Sequence, residues 1–423
     1  MGRGKRVGVL LVVACAALIA PSAASAVNPP NPIGFSPTGS LSTVREFPGA
    51  ASLPGGKVLV AGGYDGTNTL QSTEIFNPVT GSFSPGPLMG KPRYSPAMAT
   101  LADGRVLLAG GGVEPNVTTA EIFNPATGTF SATPGLMLEP RYDAGAARMP
   151  DGRVLIAGGF HSGSQLNTAE IFNPATGQFT SAGTMGAHRD GPAVAALADG
   201  RILIAGGYAG SNNYLRSAEV FTPSTGKFSP VGPLGVARYG PSGSTLPGDR
   251  ALVAGGGDEL NYLKTSEVFN GASNTFSAAG VGLLSTAREE AAAAPLADGR
   301  VLVAGGYNGD LNPAQLKSAE VLSVPANAFK AKLNGGRVIF KVKDHGIAQV
   351  RDVSVKAATT AKKKKPKLVK TSSKKGGPGK IKVIVKLTAL GNARLAQKGK
   401  LRFRVTYTPD GGLAATKKLT LRG

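Results

Sequence analysis

Val58-Leu59-Val60-Ala61-Gly62-Gly63 is a short apolar run closed by a glycine doublet, and it decides the fold because it recurs. Further doublets begin at Gly110, Gly158, Gly206, Gly255 and Gly305, at successive spacings of 48, 48, 48, 49 and 50 residues. Similar runs precede them, among them Val106-Leu107-Leu108, Val154-Leu155-Ile156, Ile202-Leu203-Ile204 and Val301-Leu302-Val303. A fixed period of this length marks a unit that buries its faces against its own copies.

Other residues keep the same beat. Arginines stand at Arg45, Arg93, Arg141, Arg189, Arg238 and Arg288, and glutamates at Glu74, Glu121, Glu170, Glu219, Glu267 and Glu320. Nine residues after each glutamate comes Phe83, Phe130, Phe179, Phe228, Phe276 or Phe329. Between glutamate and phenylalanine lies a turn, Asn-Pro-Ala-Thr-Gly at Asn124 and Asn173, whose Pro and Gly suit a chain reversal. Ala-Asp-Gly-Arg at Ala102, Ala198 and Ala297 carries the Asp-Gly pair of a tight hairpin. Each unit therefore reads as four strands: one after the arginine, one ending in Gly-Gly, one holding the glutamate and one holding the phenylalanine. Units of this kind arranged radially make an all-β, six-bladed propeller over residues 27–330.

The Arg, the apolar strand ending in Gly-Gly, the Glu strand and the later aromatic together resemble the kelch repeat of the galactose oxidase-like propellers. The resemblance covers residues 31–330 and departs in one respect, because the family's usual fourth-strand tryptophan is phenylalanine here and the chain has no tryptophan. Phenylalanine fills the same apolar slot without an N–H to satisfy. Phe35 precedes Arg45 by ten residues, as Phe83 precedes Arg93. That spacing makes 31–35 an extra outer strand able to close the ring, in competition with Phe329.

In such a propeller the loops after Gly-Gly and those leading to each arginine share one face. Their aromatic and polar residues are the ligand-binding candidates: Tyr64, Asp65, Asn68, Phe160, His161, Tyr208, Asn212, Asp258, Asn261, Tyr262, Tyr307, Asn308 and Asp310. Six clustered guanidinium groups suit an anion, but six glutamates recur in step with them, so structural pairing is the expectation. Galactose oxidase chemistry needs a cysteine cross-linked to tyrosine, with histidine ligands. Cys15 is the only cysteine and the histidines are His161, His188 and His345, so no catalytic residues, metal or cofactor are assigned.

Residues 1–26 read as a secretory signal peptide: Arg3, Lys5 and Arg6, then an apolar run from Val7 to Ala20, then Ala24-Ser25-Ala26. The run is shorter than the ~20 residues of a spanning helix. Cleavage after Ala26 removes Cys15, and lipid attachment at Cys15 is the minor alternative.

The net charge of +22 is confined to the end of the chain, where residues 331–423 hold 25 Lys+Arg against 3 Asp+Glu. Residues 27–330 hold 19 and 22, so the predicted propeller is slightly acidic. In the basic part, Ile381, Val383 and Val385 alternate with lysines, and Leu401, Phe403 and Val405 with arginines. Period two means strands, and six or seven of them suit a small immunoglobulin-like sandwich, with a short helical piece at 392–397. Lys362, Lys363, Lys364, Lys365 and Lys367 form a basic run suited to a polyanion. For an exported chain that means an anionic envelope polymer or lipid surface before nucleic acid.

The function expected is thus an extracellular, non-catalytic binding or scaffolding protein, its propeller holding a glycan or protein ligand. The alternative is an extracellular carbohydrate-active hydrolase or oxidase. Oligomeric state is not legible.

Overall fold

In the computed structural model, residues 34–112 and 118–323 are described with their side chains, and strands between Lys330 and Arg422 by backbone pairing. Residues 1–26, expected as a signal peptide, residues 113–117, Phe329, the run 362–367 and the helix expected at 392–397 lie outside the described residues.

Period-two alternation along each Gly-Gly strand explains how six sheets form one ring. In Val58–Ala61 all four side chains are fully buried. Val58 and Val60 point to one neighbouring blade, packing with Leu302, Ala304 and Val321. Leu59 and Ala61 point to the other, against Val106, Leu108 and Phe123. The same alternation builds the remaining interfaces, ending with Leu252 and Ala254 on Val301, Val303 and Leu322. Burying such a side chain contributes about 1.5–3 kcal/mol, so the core is the set of seams between blades.

Each blade is a four-stranded antiparallel sheet in the order the sequence predicts. The first runs through Gly49–Ser52, Val58–Ala61, Thr73–Asn77 and Ser82–Pro85. The innermost strands of the others are Ala97–Thr100, Gly145–Arg148, Ala193–Ala196, Ser242–Leu246 and Ala292–Pro295. Small residues dominate them because they crowd about the axis. The sixth blade takes its outer strand from Gly34–Pro37, which pairs antiparallel with Ala319–Ser323 and sets Phe35 opposite Leu322. The first strand of the propeller thereby ties the ring shut.

Beyond the propeller, seven strands are described. Lys330–Asn334, Arg337–Val342 and Gly379–Ile384 form one antiparallel sheet. Ser372–Gly376, Gly346–Asp352, Lys400–Pro409 and Ala415–Arg422 form another. Among the described residues no helix is long and apolar enough to cross a membrane.

Candidate functional site: the acidic mouth of the propeller channel

The repeated arginines fix the geometry of the face on which the candidate residues lie. Every one of the six is at most 2% exposed. Each guanidinium reaches the glutamate of its own blade at 2.8–3.2 Å. Each also donates to the carbonyl of that blade's first doublet glycine, as Arg189 does to Gly206 at 2.8 Å. The arginine's own carbonyl accepts the N–H of the second doublet glycine of the preceding blade, 2.8 Å for Gly159 to Arg189 and for Gly306 to Arg45. One residue thus stitches two blades.

The glycine doublet is what allows the approach. At Gly158 a Cβ would stand 2.4 Å from the Arg189 carbonyl oxygen, and φ is +70°. The glutamates are equally occupied, since loop N–H groups such as those of Ser42, Gly90 and Gly186 donate to their second oxygens at 2.6–2.8 Å. The anion-binding reading of the arginines is left with only the Nε groups of Arg141, Arg189 and Arg238, which are unpaired but buried out of reach of solvent, so the pairing is structural.

Immediately after each arginine the chain turns over the axis. Phe47, Ser95, Asp143, Gly191, Gly240 and Glu290 all take a positive φ of 52–59°. Their backbones hydrogen-bond around the channel: Ser95 N–H to Phe47 O at 3.0 Å, Gly191 to Asp143 at 3.0 Å, Gly240 to Gly191 at 3.1 Å, Glu290 to Gly240 at 2.8 Å and Phe47 to Glu290 at 3.2 Å. The Ser95 hydroxyl donates to the Asp143 carboxyl where the remaining link would stand. This collar rims a cavity of about 130 Å³, which continues into one of about 300 Å³ between the inner strands. Met98 and Val194 narrow it: a Cβ on Gly49 would meet Met98 Sδ at 2.3 Å, and one on Gly145 would meet Val194 Cγ2 at 2.2 Å.

The collar and the residues before it are acidic and aromatic. Asp143, Asp190 and Glu290 are buried. Loss of hydration raises the Asp143 carboxyl to about 7. The same cause, with the nearby Asp143 charge, raises Asp190 to about 8. Glu289 rises to about 7 through burial and the charges of Glu46 and Asp143. Glu290 is pushed well up by burial, then by Asp143, Glu289 and Asp190. Burial also raises the Tyr94 and Tyr239 hydroxyls, with these carboxylates adding to the effect. Carboxyls held near neutrality by burial and by one another can exchange protons or meet a cation.

The sequence candidates divide around this mouth. Tyr64 packs edge-on to Tyr94 at 6.4 Å, Phe160 tilts on Tyr142 at 5.3 Å, Tyr208 meets Tyr239 at 6.1 Å, and Tyr262 meets Tyr307 at 5.7 Å. These aromatics surround the acidic centre. Asp65 and Asp258 instead hold their own turns, accepting N–H groups of Thr67 and Asn68, and of Leu260 and Asn261, at 2.6–2.9 Å. Asn308 is buried and donates to the Ala287 carbonyl while accepting the Asp310 N–H. Asn212 donates its N–H to the Tyr208 hydroxyl, and the His161 ring hydrogen-bonds with the hydroxyl of its neighbour Ser162. Among the described residues no group of three His, Cys, Asp or Glu is arranged to hold a metal ion.

Sequence reasoning passed over the two positions after each arginine: Glu46-Phe47, Tyr94-Ser95, Tyr142-Asp143, Asp190-Gly191, Tyr239-Gly240 and Glu289-Glu290. The available signal was variability directly beside a repeated residue.

The Kelch motif model matches residues 49–90, 140–186 and 191–235. No curated protein matches the sequence. Among solved structures, one titled "Structure of YjhT" is similar in fold, with a TM-score of 0.55 over 71% of this chain and 98% of that one, at 13% identity. With these matches and six blades of one plan, this chain carries kelch motifs in three stretches of a six-bladed β-propeller.

Proposed function

We propose that the protein is an extracellular, non-catalytic binding module whose propeller takes a polar ligand, glycan or protein, at the mouth of its channel. The observation that carries this reading is the contrast within one face. Each arginine is paired with its glutamate and sealed from solvent, whereas aromatic rings and buried carboxyls, two of them with an oxygen left unpaired, converge at the mouth of the cavity. Aromatic walls with a few convergent polar groups suit specific recognition. The leader at 1–26 would export the chain, and Lys362 to Lys367 would hold it to an anionic envelope polymer.

A glycan and peptide array probed with the purified chain tests the propeller. Binding abolished by Tyr208→Ala, with the melting temperature retained, is the expected result; no ligand of either class would overturn it. The envelope contact is checked by retention on isolated envelopes, lost near roughly 0.5 M salt where screening reaches within a few ångströms.

One observation favours the rival, a carbohydrate-active enzyme: neighbouring carboxyls near 7 and 8 are suited to general acid and base work. Turnover of chromogenic glycosides, abolished by Asp190→Asn, would replace the binding reading.

A further inference from the structure

We propose that the mouth of the channel binds an aliphatic primary ammonium group, seated against Glu290 and Asp143, with Asp190, Tyr94 and Tyr239 close around them. This rests on the reading of the mouth as the binding face and narrows it to a class of ligand.

Two buried oxygens carry the inference. Glu290 is 9% exposed and lines the cavity; the Tyr239 hydroxyl stands against its carboxyl, while its Oε1 has no hydrogen-bond partner. That oxygen reaches across two blades, so that a Cβ on Gly240 would meet it at 2.4 Å and one on Gly191 at 3.1 Å. Asp190 is 7% exposed and its Oδ1 is likewise without a partner. A buried acceptor left unpaired is costly, and more so when it is charged. Donors supplied by a ligand recover that cost.

The protein's own cations do not supply them. Arg189, next in sequence to Asp190, directs its guanidinium to Gly206 O, Ser217 O, Ser217 Oγ and Glu219. Arg141 and Arg288 are engaged in the same way by Glu170 and Glu320. The groups facing the centre are Glu46 from the first blade, Tyr94 from the second, Tyr142 and Asp143 from the third, Asp190 from the fourth, Tyr239 from the fifth, and Glu289 and Glu290 from the sixth. All are acids or phenols, so the local field favours a cation.

The choice of an organic cation over a metal ion follows from the walls. No three carboxyls have metal-binding geometry among the described residues, whereas tyrosine faces attract ammonium groups. The Gly191 backbone places a Tyr239 ring atom 3.1 Å from where a Cβ would be, so that ring lies directly over the collar. An ammonium head has three donors, matching several separated oxygens. A cavity of about 130 Å³ with Met98 at its floor accepts a head group and leaves the aliphatic stem to run outward past Tyr208 and Tyr64.

Occupation by a cation ionises carboxyls that otherwise hold protons near neutrality, so binding tightens as pH rises and releases protons. The test is calorimetric titration of the full chain with spermidine and with an amidated lysine peptide, and with the Nε-acetylated peptide as the neutral control. Binding of either amine is expected, weakened about tenfold or more by acetylation and by Glu290→Gln or Asp190→Asn. Affinity should also rise severalfold between about pH 6 and pH 8. Spermidine alone binding points to a free polyamine; the peptide binding as well points to lysine side chains. Equal affinity for the acetylated peptide, or full affinity in both variants with intact melts, overturns the inference. A neutral oligosaccharide that binds at Tyr208 while neither amine does would overturn it and leave the binding face standing, whereas no ligand of any class would remove both.

Discussion

Six buried arginines and the residues that directly follow them make an instructive pair of regions, because the same turn carries both. Arg189 and Asp190 are adjacent and both buried. The arginine directs its terminal nitrogens to a carboxylate and carbonyl oxygens and leaves only Nε unpaired; the aspartate keeps a carboxylate oxygen with no donor. The first position is the same residue in every blade, and the second is Glu, Tyr, Tyr, Asp, Tyr and Glu. Buried charge is thus either neutralised by the repeat, where it holds blades together, or left to the mouth, where it costs stability and stays available for chemistry.

The most severe way to break this contrast is to remove a member of the frame. Arg141→Ala leaves Glu170 buried at the seam, together with the Gly158 and Thr168 carbonyls that the guanidinium bonds at 2.8 and 3.0 Å. A loss of about 3–5 kcal/mol is expected, read as a fall in the urea midpoint. A loss under about 1 kcal/mol would show that the seam does not depend on the pair. Gly158→Ala acts on the other half of the stitch. Its positive φ alone costs about 1–3 kcal/mol for a residue with a Cβ, and the Arg189 carbonyl oxygen at 2.4 Å must also shift. A melt no lower than that of the parent chain would discard the close-approach argument.

Most of the frame was legible in the sequence, and the reason lies in repetition. A glycine, an arginine or a glutamate imposed by the same backbone problem six times stands out at a fixed spacing, and the outer strand at Phe35 could be found by extending that spacing backward. The site was legible only as a face. Tyr64, Phe160, Tyr208, Tyr262 and Tyr307 were found because they follow the doublet. Asp65, Asp258 and Asn308 were counted with them, although their polar groups are engaged in local turns, since Asx turns and ligand contacts call for the same residue types. Asp143, Asp190 and Glu290 escaped notice because convergence on an axis brings together residues about 50 and 100 positions apart, a relation that no local pattern records.

The mouth should respond in the opposite direction from the frame. Asp143 in the folded protein titrates near 7 against an ordinary 3.8, so the native state holds its proton more tightly than the unfolded chain. Its contribution is therefore full below about pH 4 and is lost as pH rises through 7, making the native state progressively less stable over that window. Asp143→Asn removes the ionisation, keeps an oxygen for the Ser95 hydroxyl, and tolerates the left-handed backbone. It should unfold at a higher urea concentration than the parent chain at pH 8, by the equivalent of about 1–3 kcal/mol, with little difference at pH 4. A variant less stable than the parent at pH 8 would mean that the carboxylate is held by something it needs.

The smallest effect belongs to an ion pair with the same chemistry as the frame and none of its burial. Asp103 and Arg105 meet at 2.7 Å in the Asp-Gly hairpin of the second blade, with side chains 52% and 36% exposed. Water already solvates both charges there, so their mutual attraction replaces hydration of nearly equal worth. Asp103→Asn keeps the acceptor that receives the Arg105 N–H at 3.1 Å and removes only the charge. The expected cost is below about 0.5 kcal/mol and vanishes in high salt. This variant and Arg141→Ala both break an arginine–carboxylate contact under 3 Å, and the excess cost at Arg141 measures burial together with the two carbonyl bonds its guanidinium makes. If the two cost the same, the contrast between frame and mouth would have to rest on something other than the exclusion of water.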